Sequence, residues 1–86
     1  MDNPYEVTIL RRADKELDKL PGHAQRRIED AIEDLSMNPR PSGCKKLKAT
    51  QNGWRIRVGD YRVIYSVDDA EREITVFDIV DRKDAY

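Results

Sequence analysis

The chain is poor in the residues that build metal centres and nucleophilic active sites. It has one histidine, His23, and one cysteine, Cys44, in 86 residues. That excludes a His/Cys metal cluster, a CxxC pair and an internal disulfide. Cys44 sits in a Pro/Gly-rich loop beside Lys45 and Lys46 and reads as a lone thiol. No apolar run approaches the ~20 residues of a membrane span. The opening Met1-Asp2-Asn3-Pro4-Tyr5 has neither the basic start nor the apolar block of a secretory leader. A cytoplasmic protein with no membrane partner is expected. Neither paired carboxylates nor a nucleophile with its base can be assembled, and His23 reads as a surface histidine opening a helix.

Charge of one sign is also missing from the total but not from its parts. The formal net charge is −1, which argues against indiscriminate affinity for nucleic acid. Residues 1–39 balance at −3, residues 40–67 at +6 and residues 68–86 at −4. A central segment this lopsided creates a local positive field on an acidic protein. A polyanion held there would need something else to place it.

What is present is concentrated in Gly53-Trp54-Arg55-Ile56-Arg57-Val58-Gly59-Asp60-Tyr61-Arg62-Val63-Ile64-Tyr65. Trp54 to Val58 alternates apolar and cationic residues, the period of a half-buried strand. Gly59-Asp60 supplies a two-residue loop with glycine first, as a type II′ turn requires. That turn pairs Val58 with Tyr61, Arg57 with Arg62, Ile56 with Val63, Arg55 with Ile64 and Trp54 with Tyr65. One face then carries Trp54, Ile56, Val58, Tyr61, Val63 and Tyr65, and the other carries Arg55, Arg57 and Arg62. Like charges opposed across a sheet destabilise it, so an anion between Arg57 and Arg62 would explain the pair.

The remainder supports one small domain over residues 1–86, with no room for a second core. Tyr5 to Leu10 alternates as a strand. Ala13, Leu17 and Leu20 give a short amphipathic helix over 11–20, stopped by Pro21-Gly22. Ile28, Ala31, Ile32 and Leu35 give a second helix from about His23 to Met37, ended by Asn38-Pro39-Arg40-Pro41. Lys45-Lys46-Leu47-Lys48 leads into the hairpin, and a last strand spans Arg72 to Val80. The fold class is therefore α+β in two layers, order β-α-α-β-β-β. Two N-terminal helices pack on one face of a mostly antiparallel sheet, leaving the arginine face uncovered. In the last strand Phe77 and Ile79 are expected to point into the core, which gives Arg82 the parity of the uncovered face. Ile74 and Val76 share that outward parity and conflict with it.

The uncovered face would gather Arg55, Arg57, Arg62 and Arg82, with Lys45, Lys46 and Lys48 at the rim and Tyr86 at the tail. Guanidinium groups bind phosphate bidentately. Strand side chains two apart stand about 6–7 Å from each other, which suits a polynucleotide better than a small anion. Such a site can cleave RNA because the 2′-OH is the substrate's own nucleophile. Fixed cations stabilise the charge that develops, and a tyrosine can stack on a base or relay a proton. The plain alternative is a solvated arginine face salt-bridged to Asp60, Asp78 and Asp81.

The hairpin motif, preceded by Lys45-Lys46-Leu47-Lys48 and followed by Asp81-Arg82-Lys83-Asp84-Ala85-Tyr86, resembles the RelE branch of the RelE/ParE toxin superfamily. The resemblance covers the whole chain, including the Leu17-Asp18-Lys19-Leu20-Pro21 helix boundary and the Asn38-Pro39 stop. It implies a RelE-like fold and a toxin of a type II toxin–antitoxin system. The toxin would be an endoribonuclease, an mRNA interferase that cuts mRNA in the ribosomal A site by 2′-OH transesterification. By the same resemblance the reaction would need no metal or cofactor, and the ribosome would align the message. The matched positions make Arg62, Arg82, Tyr86 and Arg57 catalytic, and Arg55, Lys45, Lys46 and Lys48 RNA-binding. The implied partners are a cognate antitoxin, mRNA and the ribosome, with operator DNA reached only through the antitoxin.

Two departures stand out. Relatives often carry lysines at the positions of Arg55 and Arg57, and a guanidinium cannot replace a lysine that acts as base. Val80-Asp81 stands where relatives often have Gly-His, and Asp81 either pairs with a neighbouring arginine or takes some base role. The alternative function is that of the ParE branch, inhibition of DNA gyrase on the same scaffold without nuclease chemistry. A degenerate relative that only binds antitoxin is a third reading.

Overall fold

The hairpin forms in the register that the Gly59-Asp60 turn dictates. In the computed structural model, which describes residues 4–48 and 52–81, β3 (Gly53–Val58) and β4 (Tyr61–Asp68) pair antiparallel. Val58 faces Tyr61, Arg57 faces Arg62, Ile56 faces Val63, Arg55 faces Ile64 and Trp54 faces Tyr65. Gly59 has φ +61° while Asp60 stays out of the positive-φ region, the combination a type II′ turn needs.

Five strands make one sheet in the order β1-β5-β4-β3-β2. The outer members are β1 (Glu6–Ile9) and the two-residue β2 (Lys45–Lys46). β5 (Glu73–Asp81) lies between β1 and β4. All pairings are antiparallel except that of β1 with β5, which is parallel. The helices α1 (Arg11–Asp18) and α2 (Gly22–Leu35) carry the chain from one edge of the sheet to the other across a single face. α1 lies over β5 and α2 over β3.

Burial follows the periodicity of the sequence. Ala13 and Leu17 of α1, and Ile28, Ile32 and Leu35 of α2, meet Ile56, Val63, Tyr65, Val67, Ile74, Val76 and Ile79 of the sheet. Neither helix has a side-chain N-cap: Leu10 and Pro21 hold those positions. Their stability therefore comes mainly from this apolar packing rather than from local capping.

β5 corrects one expectation. Phe77 does not point into the core; it is 43% exposed, whereas Ile74 and Val76 are fully buried. The cause is a β-bulge. Ile64 pairs with Asp78 and Tyr65 with Val76, so Phe77 is an extra residue with no partner on β4. One inserted residue shifts the alternation, and Ile74, Val76 and Ile79 can all face the helices.

Candidate nucleic-acid interface

The uncovered side of β3 and β4 is where the cations collect. Arg55 and Arg57 alternate with the core-facing Trp54, Ile56 and Val58, and register places Arg62 directly across from Arg57. β2 extends this face by one strand, with Lys45 opposite Arg55. Lys45, Arg55, Arg57 and Arg62 line one shallow depression of about 200 Å³, together with Gly43 and Ile56. Three guanidinium groups and an ammonium thus border a space large enough for a phosphodiester.

The side chains are not equally placed. Arg57 is exposed, and its Nε donates to the carbonyl of Gly59 at 3.1 Å, which ties it to the hairpin turn. Arg62 is half-buried, with Nη1 shielded from solvent. Arg55 is half-buried too. A shielded guanidinium interacts more strongly with an incoming anion than one in bulk water, because the local dielectric is lower.

Lys46 is opposite Trp54 in the β2–β3 register, so it belongs to the other side of the sheet. Lys48 is exposed and lies past the end of β2. The structure therefore brings Lys45, but not Lys46 or Lys48, into the depression. Arg82 and Tyr86 lie outside the described residues.

Asp78 shares the face of Arg55 through Ile64, and its carboxylate is 3.2 Å from Arg12 Nη2 at the start of α1. Arg40, the first cation of the basic segment, is also withdrawn from the site. Its guanidinium grips Asp69 with Nη2–Oδ2 at 2.8 Å and Nη1–Oδ1 at 3.3 Å, and lies 5.2 Å from the Trp54 ring centroid. Tyr5 Oη donates to the same carboxylate at 2.6 Å, and Arg72 stacks 4.5 Å from the Tyr5 ring centroid. The Arg40 and Tyr5 hydrogen bonds hold the Asp69 carboxyl below its usual range. This cluster fastens the 38–43 loop and the β4–β5 turn to the start of β1.

The loop is fixed from beneath as well. Tyr65, fully buried, donates from Oη to the carbonyl of Pro39 at 2.7 Å. Burial, the main cause, pushes its phenol well above the ordinary tyrosine range. Gly43 and Lys45 thereby follow a loop anchored twice near its start, at Pro39 and Arg40.

Two structural features of the site were not expected from the sequence. Pairing of Lys45-Lys46 as a strand selects one lysine of the three for the site, and no residue pattern reveals a two-residue strand. Phe77 is also presented on the uncovered side. Among the described residues no three His, Cys, Asp or Glu side chains gather to hold a metal ion. No described helix is long and apolar enough to cross a membrane.

Comparison with known proteins agrees with this architecture. Residues 7–86 match the family model described as the ParE toxin of the type II toxin–antitoxin system parDE. The chain is 34% identical over 87 residues to the RelE toxin of Mycobacterium tuberculosis, covering 99% of this chain and 89% of that protein. The crystal structure of an archaeal RelE–RelB complex from Pyrococcus horikoshii contains a chain 33% identical, with a TM-score of 0.84. That match covers 95% of this chain and 99% of the other. A chain of the RelB–RelE antitoxin–toxin complex from Methanococcus jannaschii is 32% identical, with a TM-score of 0.70 over 87% of this chain and 89% of that one. With a family model matched over nearly its whole length, relatives above 30% identity and a shared fold, this chain belongs to the RelE branch of the RelE/ParE superfamily, the toxins of type II toxin–antitoxin systems.

Proposed function

We propose that the protein is a ribosome-dependent mRNA endoribonuclease that inhibits translation by cutting messages in the ribosomal A site. The observation that carries this reading is the convergence of Lys45, Arg55, Arg57 and Arg62 on one depression of the helix-free sheet face. The 2′-OH of one nucleotide attacks the adjacent phosphorus. The bond to the 5′-oxygen breaks, leaving a 2′,3′-cyclic phosphate and a 5′-OH. Arg62 and Arg57 stabilise the added negative charge on the phosphorane oxygens. Arg55 and Lys45 hold flanking phosphates, and orientation of the 2′-OH in line supplies the rest of the acceleration. Arg82 completes the charge cluster, and Tyr86 positions the substrate. Lys46 and Lys48, outside the depression, add only to the longer-range positive field of the basic segment.

The low net charge fits a toxin that relies on the ribosome to present its message. The antitoxin is a cognate protein with an acidic, partly disordered segment that folds over this basic face; the similar structures named above are complexes with RelB. Contact with operator DNA is made through that antitoxin, in the cytoplasm.

The test is 5′-end mapping of cellular mRNA shortly after induction. Breaks within translated codons are expected for the wild type. Arg62→Ala should lower cleavage by ~10²–10³ while leaving the melting temperature unchanged. A fully toxic Arg62→Ala protein would refute the reading. A second reading, gyrase inhibition, is favoured by the description of the matching family model. DNA damage with intact messages after induction would select it.

A further inference from the structure

We propose that Phe77 is a base-stacking residue, a platform for a nucleobase neighbouring the scissile linkage; this rests on the RNA-cleaving reading above. Among the described residues Phe77 is the most exposed aromatic side chain. Its exposure is produced by a specific device rather than by a frayed end. The bulge opposite Ile64 and Tyr65 inserts Phe77 into a strand flanked on both sides by other strands and covered by α1 on its inner face. Ile74, Val76 and Ile79 are buried against the helices while Phe77 is 43% exposed, so its ring lies on the helix-free side, the side that bears Arg55, Arg57 and Arg62.

Its position relative to the cations suits one strand of nucleic acid. Arg62 pairs with Val80, and Phe77 is three residues earlier on the same strand. With a rise near 3.3 Å and strands ~4.8 Å apart, the two Cα positions are separated by roughly 11 Å. That is about one or two nucleotides along an extended chain. The charge around the ring is also suitable. Asp78, the adjacent carboxylate, is paired with Arg12 at 3.2 Å, so the negative charge next to the ring is offset by a cation. An aromatic ring beside a cationic track is the arrangement that binds single strands, with phosphates on the cations and a base on the ring.

Cleavage on programmed ribosomes tests this, with an A-site codon made intact or abasic at each position in turn. The wild-type chain should cut one abasic message more slowly than the intact one, by roughly 5- to 150-fold. Phe77→Ala should cut the intact message slower by a similar factor and be indifferent to removal of that base. Phe77→Trp should restore both rate and base dependence. Phe77→Thr, a residue suited to an exposed strand position, should behave as Phe77→Ala with an unchanged melting temperature. Wild-type rates for Phe77→Ala and Phe77→Thr, with base dependence retained, would overturn the inference while the nuclease reading stands. So would normal cleavage combined with loss of antitoxin binding, which would mark Phe77 as a protein contact. Failure of the wild type to cut any message would overturn the nuclease reading itself.

Discussion

Tyr65 shows how one side chain can carry two duties. Its ring fills the core between the sheet and the helices, while its hydroxyl holds the Pro39 carbonyl at 2.7 Å. The 38–43 loop is thereby fixed behind Gly43 and Lys45. Tyr65→Phe should keep the packing and lose the hydrogen bond, a cost of about 1 kcal/mol and a fall in Tm of roughly 4–8 °C. The phenol also gives stability a pH dependence of known sign. Burial raises its folded pKa above the ~10 of an unfolded tyrosine. The associated stability is therefore complete below pH ~10 and is lost as pH rises through the folded value. Urea melts at neutral and strongly alkaline pH should show a steep alkaline loss in the wild type and a flatter one in Tyr65→Phe. At this scale the arginines were legible, because alternation with Trp54, Ile56 and Val58 assigns each to a face. The engagement of Asp78 by Arg12 was not, because the two residues are brought together only by the placement of α1 over β5.

The strongest local instruction is the Gly59-Asp60 turn, which set the pairing of β3 and β4 and thereby opposed Arg57 to Arg62. Glycine is needed there for its positive φ of 61°. A Cβ at that position would also lie 3.1 Å from Arg27 Nη1, but the far end of an arginine can move aside. Backbone strain is therefore the main penalty. Gly59→Ala should destabilise the domain by ~1–3 kcal/mol, seen as a lower urea midpoint with the m-value unchanged. The two helices were equally readable from Ala13-Leu17-Leu20 and Ile28-Ala31-Ile32-Leu35. β5 was not, for a physical reason: parity along a strand is meaningful only while each residue has one partner. The extra residue at Phe77 breaks that condition, so alternation read through it put Ile74 and Val76 on the wrong side. The parallel pairing of β1 with β5 was hidden as well, since alternation reports which face a residue occupies and not which strand lies beside it.

Across the whole molecule, segregation of charge matters more than its sum. The acidic helix α2 and the acidic β4–β5 turn lie away from the basic face, so a net charge of −1 coexists with four cations around one depression. Binding of a single-stranded RNA through Lys45, Arg55, Arg57 and Arg62 should release counterions from about that many phosphates. The plot of log K against log salt should then have a slope of roughly −3, measured by fluorescence anisotropy on a short oligonucleotide. A slope near zero would mean that these groups do not meet the backbone. The parallel contact of β1 with β5 has a kinetic consequence. Residues 6 and 73 are neighbours in the finished sheet although far apart in sequence, and β5 joins that opening strand to the hairpin. Local pieces can assemble early, but the core cannot close until the loop joining those distant segments has been drawn shut. The slow event in folding is then an encounter between remote parts of the chain, and the basic face acquires a rigid backing only after it.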